Sequence, residues 1–407
     1  MPPTLVFIEA NTTGTGMIVL RTAAEAGLAP VFLTSDPGRY AGLADTGARV
    51  VRCDTNTPAA LETALDALAG DLAGITTTSE FYVTAVAEQA ARLGLPGNSP
   101  DVVRRCRDKG LVRLALAAAG VPQPRFAVAH APADVDAAMA TAGPPCVVKP
   151  VDDSGSRLVR WCGTREEVHE QARRVLGVRT NVRGQPAATA VLLEEFVDAP
   201  EYSVEMFGRS GEHVRVGVTR KTVTEGPHFV ETRHVFPAPL APGEQEELTG
   251  AAEHALRVLG LAHGPAHLEL RLDAGRARMI EVNPRLAGGL IPELVLLATG
   301  VDLLREQLNA ASGRPVDLRP TRSAYAGVAF LLAPGPGTLR GVHGVCEAAA
   351  LDGVERVTVT ARPGQEVRPA TSAYDRLGSV IACGRSVAEV DALLDKALGL
   401  IGVDLDG

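Results

Sequence analysis

The sequence predicts a protein of mixed α/β and α+β class, with an open parallel α/β domain at the N-terminus and a small β-rich cap at the C-terminus. Three observations carry that prediction. Residues 1–100 follow a strand-then-helix rhythm, the pattern of βαβ units on a parallel sheet. The turn-rich seam Pro96-Gly97-Asn98-Ser99-Pro100 ends that rhythm, and the order of elements beyond it is mixed. Past Pro320, short alternating segments flank Pro334-Gly335-Pro336-Gly337, as in small β-rich units. A chain of 407 residues is too long for one core, and about 150 residues per domain argues for two to four.

The run Leu5-Val6-Phe7-Ile8 is short, apolar and β-prone; the glycine loop Asn11-Thr12-Thr13-Gly14-Thr15-Gly16 and a helix over 17–26 follow it. Strands at 31–34 and 74–77, with helices at 62–68 and 84–93, continue the unit. The loop lacks the third glycine of a dinucleotide fingerprint, although Asp36 stands near the acidic position, so a plain turn is favoured over NAD binding. After the seam, Asp101 is placed to cap a helix that carries Lys109 and Arg113 as far as Gly120. Strands are expected at 125–129, 146–149, 157–161, 191–196 and 202–207, with a polar glycine loop at 152–156 and a turn-rich stretch at 179–187. The cap contributes strands at 325–332 and 356–359.

Apolar residues make up 46% of the chain and charged residues 22%, which excludes gross disorder. Its 40 basic and 48 acidic side chains give a net charge of -8. That balance repels phosphate backbones and anionic lipid, so no nucleic acid is expected as partner. No apolar run approaches the roughly 18 residues of a membrane span, and Met1-Pro2-Pro3-Thr4 leads into a strand without a basic segment and apolar core. Cys53, Cys106, Cys146, Cys162, Cys346 and Cys383 show neither metal-ligand spacing nor a disulfide framework. They read as small core residues in a reducing compartment, and the expected address is the cytoplasm. Lysine is scarce: Lys109, Lys149, Lys221 and Lys396 are the whole set.

The chemistry concentrates in His267-Leu268-Glu269-Leu270-Arg271-Leu272, a turn at Asp273-Ala274-Gly275-Arg276, and Met279-Ile280-Glu281-Val282-Asn283. Strand alternation puts Glu281 and Asn283 on one face. If the two runs pair as a hairpin, Glu269 lies across from them and three oxygen ligands converge, which suits magnesium. Two glutamates alone would read equally well as a solvated hairpin face. Asn283-Pro284-Arg285 adds a neutral ligand and a planar donor fork for a carboxylate or a transferring phosphoryl group. Gly288-Gly289 then permits close approach of backbone or ligand.

Taken in order, these motifs resemble the ATP-grasp superfamily over residues 4–400. Asp108-Lys109-Gly110-Leu111-Val112-Arg113 is similar to its Asp-Lys helix, and Val147-Val148-Lys149-Pro150 with Ser154-Gly155-Ser156 to its lysine strand and phosphate loop. Glu194-Glu195-Phe196-Val197 resembles the adenine hinge, Glu201 the ribose-binding acid, and Glu269, Glu281 and Asn283 the magnesium ligands. The resemblance implies ATP and magnesium, or manganese in its place, as cofactors, with Lys109 and Lys149 as cations for the phosphates. It implies an ATP-grasp fold in four parts: an N-terminal α/β domain at 1–100, a first ATP-grasp subdomain at 101–188, a second at 189–320 with the magnesium and substrate site, and an α+β cap at 321–407. One departure stands out. The phosphate loop of the family usually continues Gly-Ser-x-Gly, whereas Ser156 here is followed by Arg157-Leu158-Val159. The loop loses its second glycine and gains a charge.

Residues 222–240 resemble the substrate loop of the dipeptide-forming L-amino-acid ligases, whose substrate residues match Glu231, His234, Arg285 and Gly288. The resemblance implies that Glu231 takes an α-ammonium, Arg285 a carboxylate or acyl phosphate, and that His234 orients or deprotonates the amine. Gly289 would leave room for a bulky substrate side chain, and the segments near His228 and at 152–156 would serve as lids over a water-sensitive intermediate. The implied activity is an ADP-forming C–N ligase. The resemblance implies that it phosphorylates a carboxylate, that of an amino acid, to an acyl phosphate and condenses it with an amine, that of a second amino acid. The partners are small-molecule carboxylate and amine substrates, with no membrane, and a homodimer is the assembly such relatives suggest. Biotin carboxylases are disfavoured because no Glu-Arg-Asp run stands between hinge and magnesium strands, and purine-pathway ligases because no sugar-phosphate site is visible. A regulatory nucleotide-binding protein without turnover would not need the full set Glu269, Glu281, Asn283 and Arg285.

Overall fold

The computed structural model describes residues 2–12, 14–209 and 211–406. Met1 and Thr13, both named above, lie outside them. The chain opens with β1 (Thr4–Ile8), α1 (Gly16–Glu25), β2 (Ala29–Thr34), β3 (Arg49–Arg52), α2 (Pro58–Asp66), β4 (Leu72–Thr76) and α3 (Val83–Arg92). The strands form a parallel sheet in the order β3-β2-β1-β4, with Val6 opposite Val31 on one side and Ile75 on the other. Leu5, Val6, Phe7 and Ile8 are fully buried, because a parallel sheet is covered on both faces. β3 escaped the sequence pattern: Arg49-Val50-Val51-Arg52 is a largely exposed edge strand flanked by charges. The chain departs from β1 in one direction to β2 and in the other to β4, which makes the carboxyl ends of β1 and β4 a topological switch point.

The helix expected from Asp101 to Gly120 is two helices, α4 (Pro100–Arg107) and α5 (Lys109–Ala118). Asp108 between them is extended, with φ -103° and ψ 107°, and its carboxylate accepts from the Leu111 amide as the cap of α5. Next come β5 (Phe126–Ala129), α6 (Val135–Ala142), β6 (Cys146–Pro150), β7 (Arg160–Cys162), α7 (Arg165–Leu176) and β8 (Val191–Glu195). The strands pair antiparallel in the order β5-β8-β6-β7. The strand expected at 157–161 begins only at Arg160, since Ser156 and Leu158 sit in left-handed backbone at φ 58° and 59°, which no strand accommodates.

The remainder comprises β9 (Glu201–Arg209), β10 (Glu212–Val223), β11 (Glu231–Phe236), α8 (Pro242–Leu259), β12 (Gly264–Asp273), β13 (Arg276–Asn283), α9 (Ile291–Thr299), α10 (Leu303–Ala311), β14 (Tyr325–Leu331), β15 (Gly337–His343), α11 (Val345–Ala349), β16 (Val354–Val359), β17 (Glu366–Val367), β18 (Gly378–Gly384), α12 (Val387–Leu400) and β19 (Gly402–Asp406). One antiparallel sheet runs β13-β12-β9-β10-β11-β14-β18-β16, and β17-β15-β19 form a small second one. The β-rich C-terminal region is joined to the rest through this sheet. Its β14, β18 and β16 extend the same sheet past β11, where His234 faces Val328 in register. Leu248, Leu256 and Leu259 of α8 pack with Val204, Leu268 and Leu270 under one stretch of the sheet, and Val390 and Leu394 of α12 with Val380 and Ala329 under the other. Among the described residues no helix is long and apolar enough to cross a membrane. Of the cysteines expected in the core, Cys106, Cys146 and Cys162 are buried but Cys346 is exposed, on the short helix α11 at the surface.

Candidate active site

A cleft with a cavity of about 220 Å³ opens between the β5-β8-β6-β7 sheet and the long sheet, closed by loops of the N- and C-terminal regions. Every site residue singled out from the sequence lines it except His228: Lys109, Lys149, Ser154, Gly155, Ser156, Glu194, Glu195, Phe196, Val197, Glu201, Glu231, His234, Glu269, Glu281, Asn283, Arg285, Gly288 and Gly289 all do. His228 stands in the turn between β10 and β11, where its carbonyl accepts from the Thr224 hydroxyl, and the neighbouring Phe229 faces the cleft in its place. Three of the four lysines border the cavity, and the fourth, Lys396, is exposed on α12.

At one wall, β6 presents Lys149 and β8 presents Glu194. The carboxylate does not face the open cleft: it takes the Lys149 ammonium at 2.6 Å and the Arg113 guanidinium at 2.6 Å, all three side chains buried. Burial opposes ionisation of Glu194, but Arg113 and Lys149 outweigh it and draw the carboxyl down to about 2. Arg113 also donates to the carbonyls of Met279 and Ile280, which ties α5 to β13. Glu195 points outward to Arg125, and the rings of Phe196 and Phe229, 5.9 Å apart, both meet the Arg271 guanidinium, at 5.3 and 5.7 Å. Arg271 in turn holds the Val197 carbonyl at 2.6 Å and Glu201 at 3.0 Å.

The loop after β6 is closed by its own side chains. Lys109 donates to the Asp153 carbonyl at 2.7 Å, and the Asp153 carboxylate accepts from the Ser154 amide and from Arg157, so the extra charge of Arg157 is paired inside the loop. Leu158 occupies the place of the family's second glycine and adopts the left-handed backbone that a glycine would. Its side chain packs against the core behind β6 and its carbonyl accepts from Gln171, which offsets the conformational cost.

On the opposite wall the hairpin β12–β13 sets Glu269 directly across from Glu281, and His267 across from Asn283, as the alternation predicts. Glu281 lies 3.6 Å from Lys109, and Glu269 accepts from Lys221 at 2.8 Å and meets His267 at 3.2 Å. Lys221 is the residue that sequence reasoning passed over. Its side chain is 1% exposed and its ammonium also reaches Glu231 at 2.8 Å and Glu201 at 3.1 Å. Burial would lower its pKa, but the carboxylates of Glu231, Glu269 and Glu201 hold it well above the usual lysine value. The same holds for His267, which burial would lower and which Glu205 and Glu269 push up to about 9.

Glu231 and His234 belong to strand β11 and are held in a network, not on a solvated loop. Both Glu231 oxygens are engaged, by Lys221 and by Arg376 at 2.9 Å, and His234 Nε2 lies 3.5 Å away with no other partner among the described residues. His234 Nδ1 faces the Gly289 carbonyl at 3.1 Å. The space beside Gly289 belongs to that imidazole: a Cβ there would stand 2.3 Å from His234 Cε1. The open space lies at Gly288 instead, where a Cβ would meet nothing within 4 Å. Arg285 is bonded to Glu80 from the N-terminal region, which also pairs with Arg107 at 3.2 Å. Glu80, Arg376 and Tyr374 were invisible in the sequence, since no motif marks them and the fold alone brings them to the cleft.

The ATP-grasp domain family matches residues 142–293, and the L-amino acid ligase C-terminal domain 2 family matches residues 329–406. The uncharacterized protein y4rH of Sinorhizobium fredii is 36% identical over 98% of this chain and 82% of its own length. An alanine–anticapsin ligase of Bacillus amyloliquefaciens is 29% identical over 60% of this chain, which spans about half of that protein, 55% of it. The crystal structure of an L-amino acid ligase from Bacillus licheniformis superposes with a TM-score of 0.85 at 24% identity, covering 100% of this chain and 99% of that one, a likeness of fold. With a phosphate-loop sheet and an acidic hairpin facing one another across a single cleft, and relatives of this kind, the chain belongs to the ATP-grasp family of carboxylate–amine ligases.

Proposed function

We propose that the protein joins two amino acids at the expense of ATP, forming an amide with release of ADP and phosphate. The observation that carries the reading is that one cavity is lined both by the lysines and loop suited to a nucleotide's phosphates and by the cluster Glu231, His234 and Arg285. The names of the relatives, an alanine–anticapsin ligase among them, point the same way.

Magnesium suits the acidic hairpin. Glu269, Glu281 and Asn283 are hard oxygen donors on one sheet face, and their negative charge is met by the lysine ammoniums of Lys221 and Lys109. Among the described residues no three His, Cys, Asp or Glu side chains form a metal-ligand group; two carboxylates and an amide leave the other positions to phosphate oxygens and water. Bound there, the ion would neutralise phosphate oxygens during transfer. Lys109, Lys149 and the amides of 154–156 orient the nucleotide's phosphates. Arg285, fixed by Glu80, faces the carboxylate whose oxygen attacks the γ-phosphorus, and steadies the charge that develops. The amine then attacks the acyl carbon, phosphate leaves, and His234 Nε2, without a hydrogen-bond partner among the described residues, receives the proton. Six unpaired cysteines suit a reducing, cytoplasmic setting.

A phosphate-release screen of all amino-acid pairs with ATP and magnesium, followed by mass spectrometry, tests the reading. At least one pair is expected to give a dipeptide mass. Glu281→Ala should abolish release while the chain still folds; unchanged turnover would overturn the assignment of the acidic hairpin.

A further inference from the structure

Arg183 lies in the loop between α7 and β8, buried at 7% exposure, and lines the cavity beside Asn11, Thr78 and Tyr374. Among the described residues no carboxylate comes within ion-pair distance of its guanidinium. Nη1 donates to the Tyr40 hydroxyl at 3.0 Å and Nη2 to the Ala10 carbonyl at 2.7 Å, both neutral acceptors. Glu9 stands one phenol away, on the far side of Tyr40. Its oxygens are already taken by the hydroxyls of Thr34, Thr55 and Tyr40 and by the Ser35 amide. A buried guanidinium that meets only neutral groups is costly unless an anion completes it.

The arginine is built in, not incidental. Its amide donates to Asn181 Oδ1 at 2.8 Å within the loop, its carbonyl accepts from Asn56 at 2.9 Å, and Gln185 reaches the Phe81 carbonyl at 3.1 Å, so the loop is fastened to the N-terminal domain at Arg183 itself and two residues beyond it. The site also coincides with the switch point of the parallel sheet. The loops after β1 and β4, linked by Asn11 and Thr78, wall the cavity there, the place where open α/β sheets receive ligands.

We infer that Arg183 anchors a non-reacting carboxylate of an amino-acid substrate, so that the cleft selects a free acid over its amide. The identity of the reaction rests on the ligase reading; the binding does not. In titration calorimetry with magnesium and the non-hydrolysable analogue AMP-PNP present, free amino acids are compared with their α-amides, and glutamate and aspartate with glutamine and asparagine. Losing a charge-assisted fork contact should weaken binding by about tenfold or more. A loss on α-amidation identifies the α-carboxylate, and a loss from glutamate to glutamine identifies a side-chain carboxylate. Arg183→Gln should bring the free acid down to the level of the amide, and Arg183→Lys should retain part of the preference. Should Arg183→Gln fail to fold, the lysine variant and the wild-type acid-to-amide ratio decide. Equal binding of acid and amide, an unaltered preference in Arg183→Gln, or no amino acid bound at all would overturn the inference. Discrimination that vanishes in the variant, in a protein that releases no phosphate with any pair, would instead sink the ligase reading alone.

Discussion

Lys221 meets Glu201, Glu231 and Glu269 in a site where water barely reaches. Replacing it by methionine takes the shared cation from three carboxylates, which keep Arg271, Arg376 and His267, and the loss of one partner from a buried ionic group costs about 3–5 kcal/mol. Lys221→Met should therefore lower the urea midpoint steeply, and adding Glu231→Gln should recover part of the loss, because the two sites are coupled. Additive losses would show that the network is not a unit. Glu194 gives a pH signature. Its carboxyl falls from an ordinary 4.5 to about 2 in the folded protein, so its contribution is fully present above the unfolded value and is lost as acidity increases from pH 4.5 toward 2. Urea midpoints across that window should fall more steeply for wild type than for Glu194→Gln, which starts lower because Arg113 and Lys149 lose their partner. Sequence made Lys221 available through the rarity of lysine, three of the four bordering the cleft. It could not supply Glu80 or Arg376, whose places depend on loops from far along the chain.

At the level of elements, the pairing of Glu269 with Glu281 was readable because a strand's alternation admits only one face for Glu281 and Asn283. The helix from Asp101 was misread because propensity is weak against a good cap. Asp108 satisfies the first turn of α5, ends α4 and turns Lys109 toward the phosphate loop. Asp108→Ala should cost about 1 kcal/mol of stability and raise the KM for ATP while leaving the amino-acid KM little changed; an unaltered KM would mean that the cap does not aim Lys109. Leu158 marks a second conflict of local and global preference. Leu158→Gly removes left-handed strain of about 1–2 kcal/mol together with packing worth a similar amount. The melting temperature should barely move, whereas hydrogen exchange of the loop amides should quicken. His228 was misplaced for a simpler reason: a turn residue's direction follows from the register of its flanking strands, and β10–β11 carries a bulge between Thr222 and Val223.

For the molecule as a whole, the strand-then-helix rhythm sufficed for the parallel sheet, since each βα unit is local. The continuity of the long sheet across residue 320 was not legible for the opposite reason: pairing of β11 with β14 joins residues almost a hundred positions apart, and no local pattern reports it. The site itself is assembled from distant pieces. Glu80 grips Arg285 and Arg376 grips Glu231, so both ends of the chain set the geometry of side chains in the middle. Arg376→Gln should leave AMP-PNP affinity nearly intact and raise the KM of an amino-acid substrate by about tenfold, the scale of one charge-assisted bond; an equal rise in the KM for ATP would make it a general packing defect.

Continuity of the long sheet across β11 and β14 also limits how the molecule can be dismantled. A chain cut after residue 320 would bare the main-chain donors and acceptors of Arg233 to Phe236 along a hydrophobic rim, an invitation to intermolecular strand addition. Such a fragment should precipitate or self-associate on sizing columns, and shuffling the segment after residue 320 between relatives will succeed only where the donor's first strand zips onto that rim in the same frame.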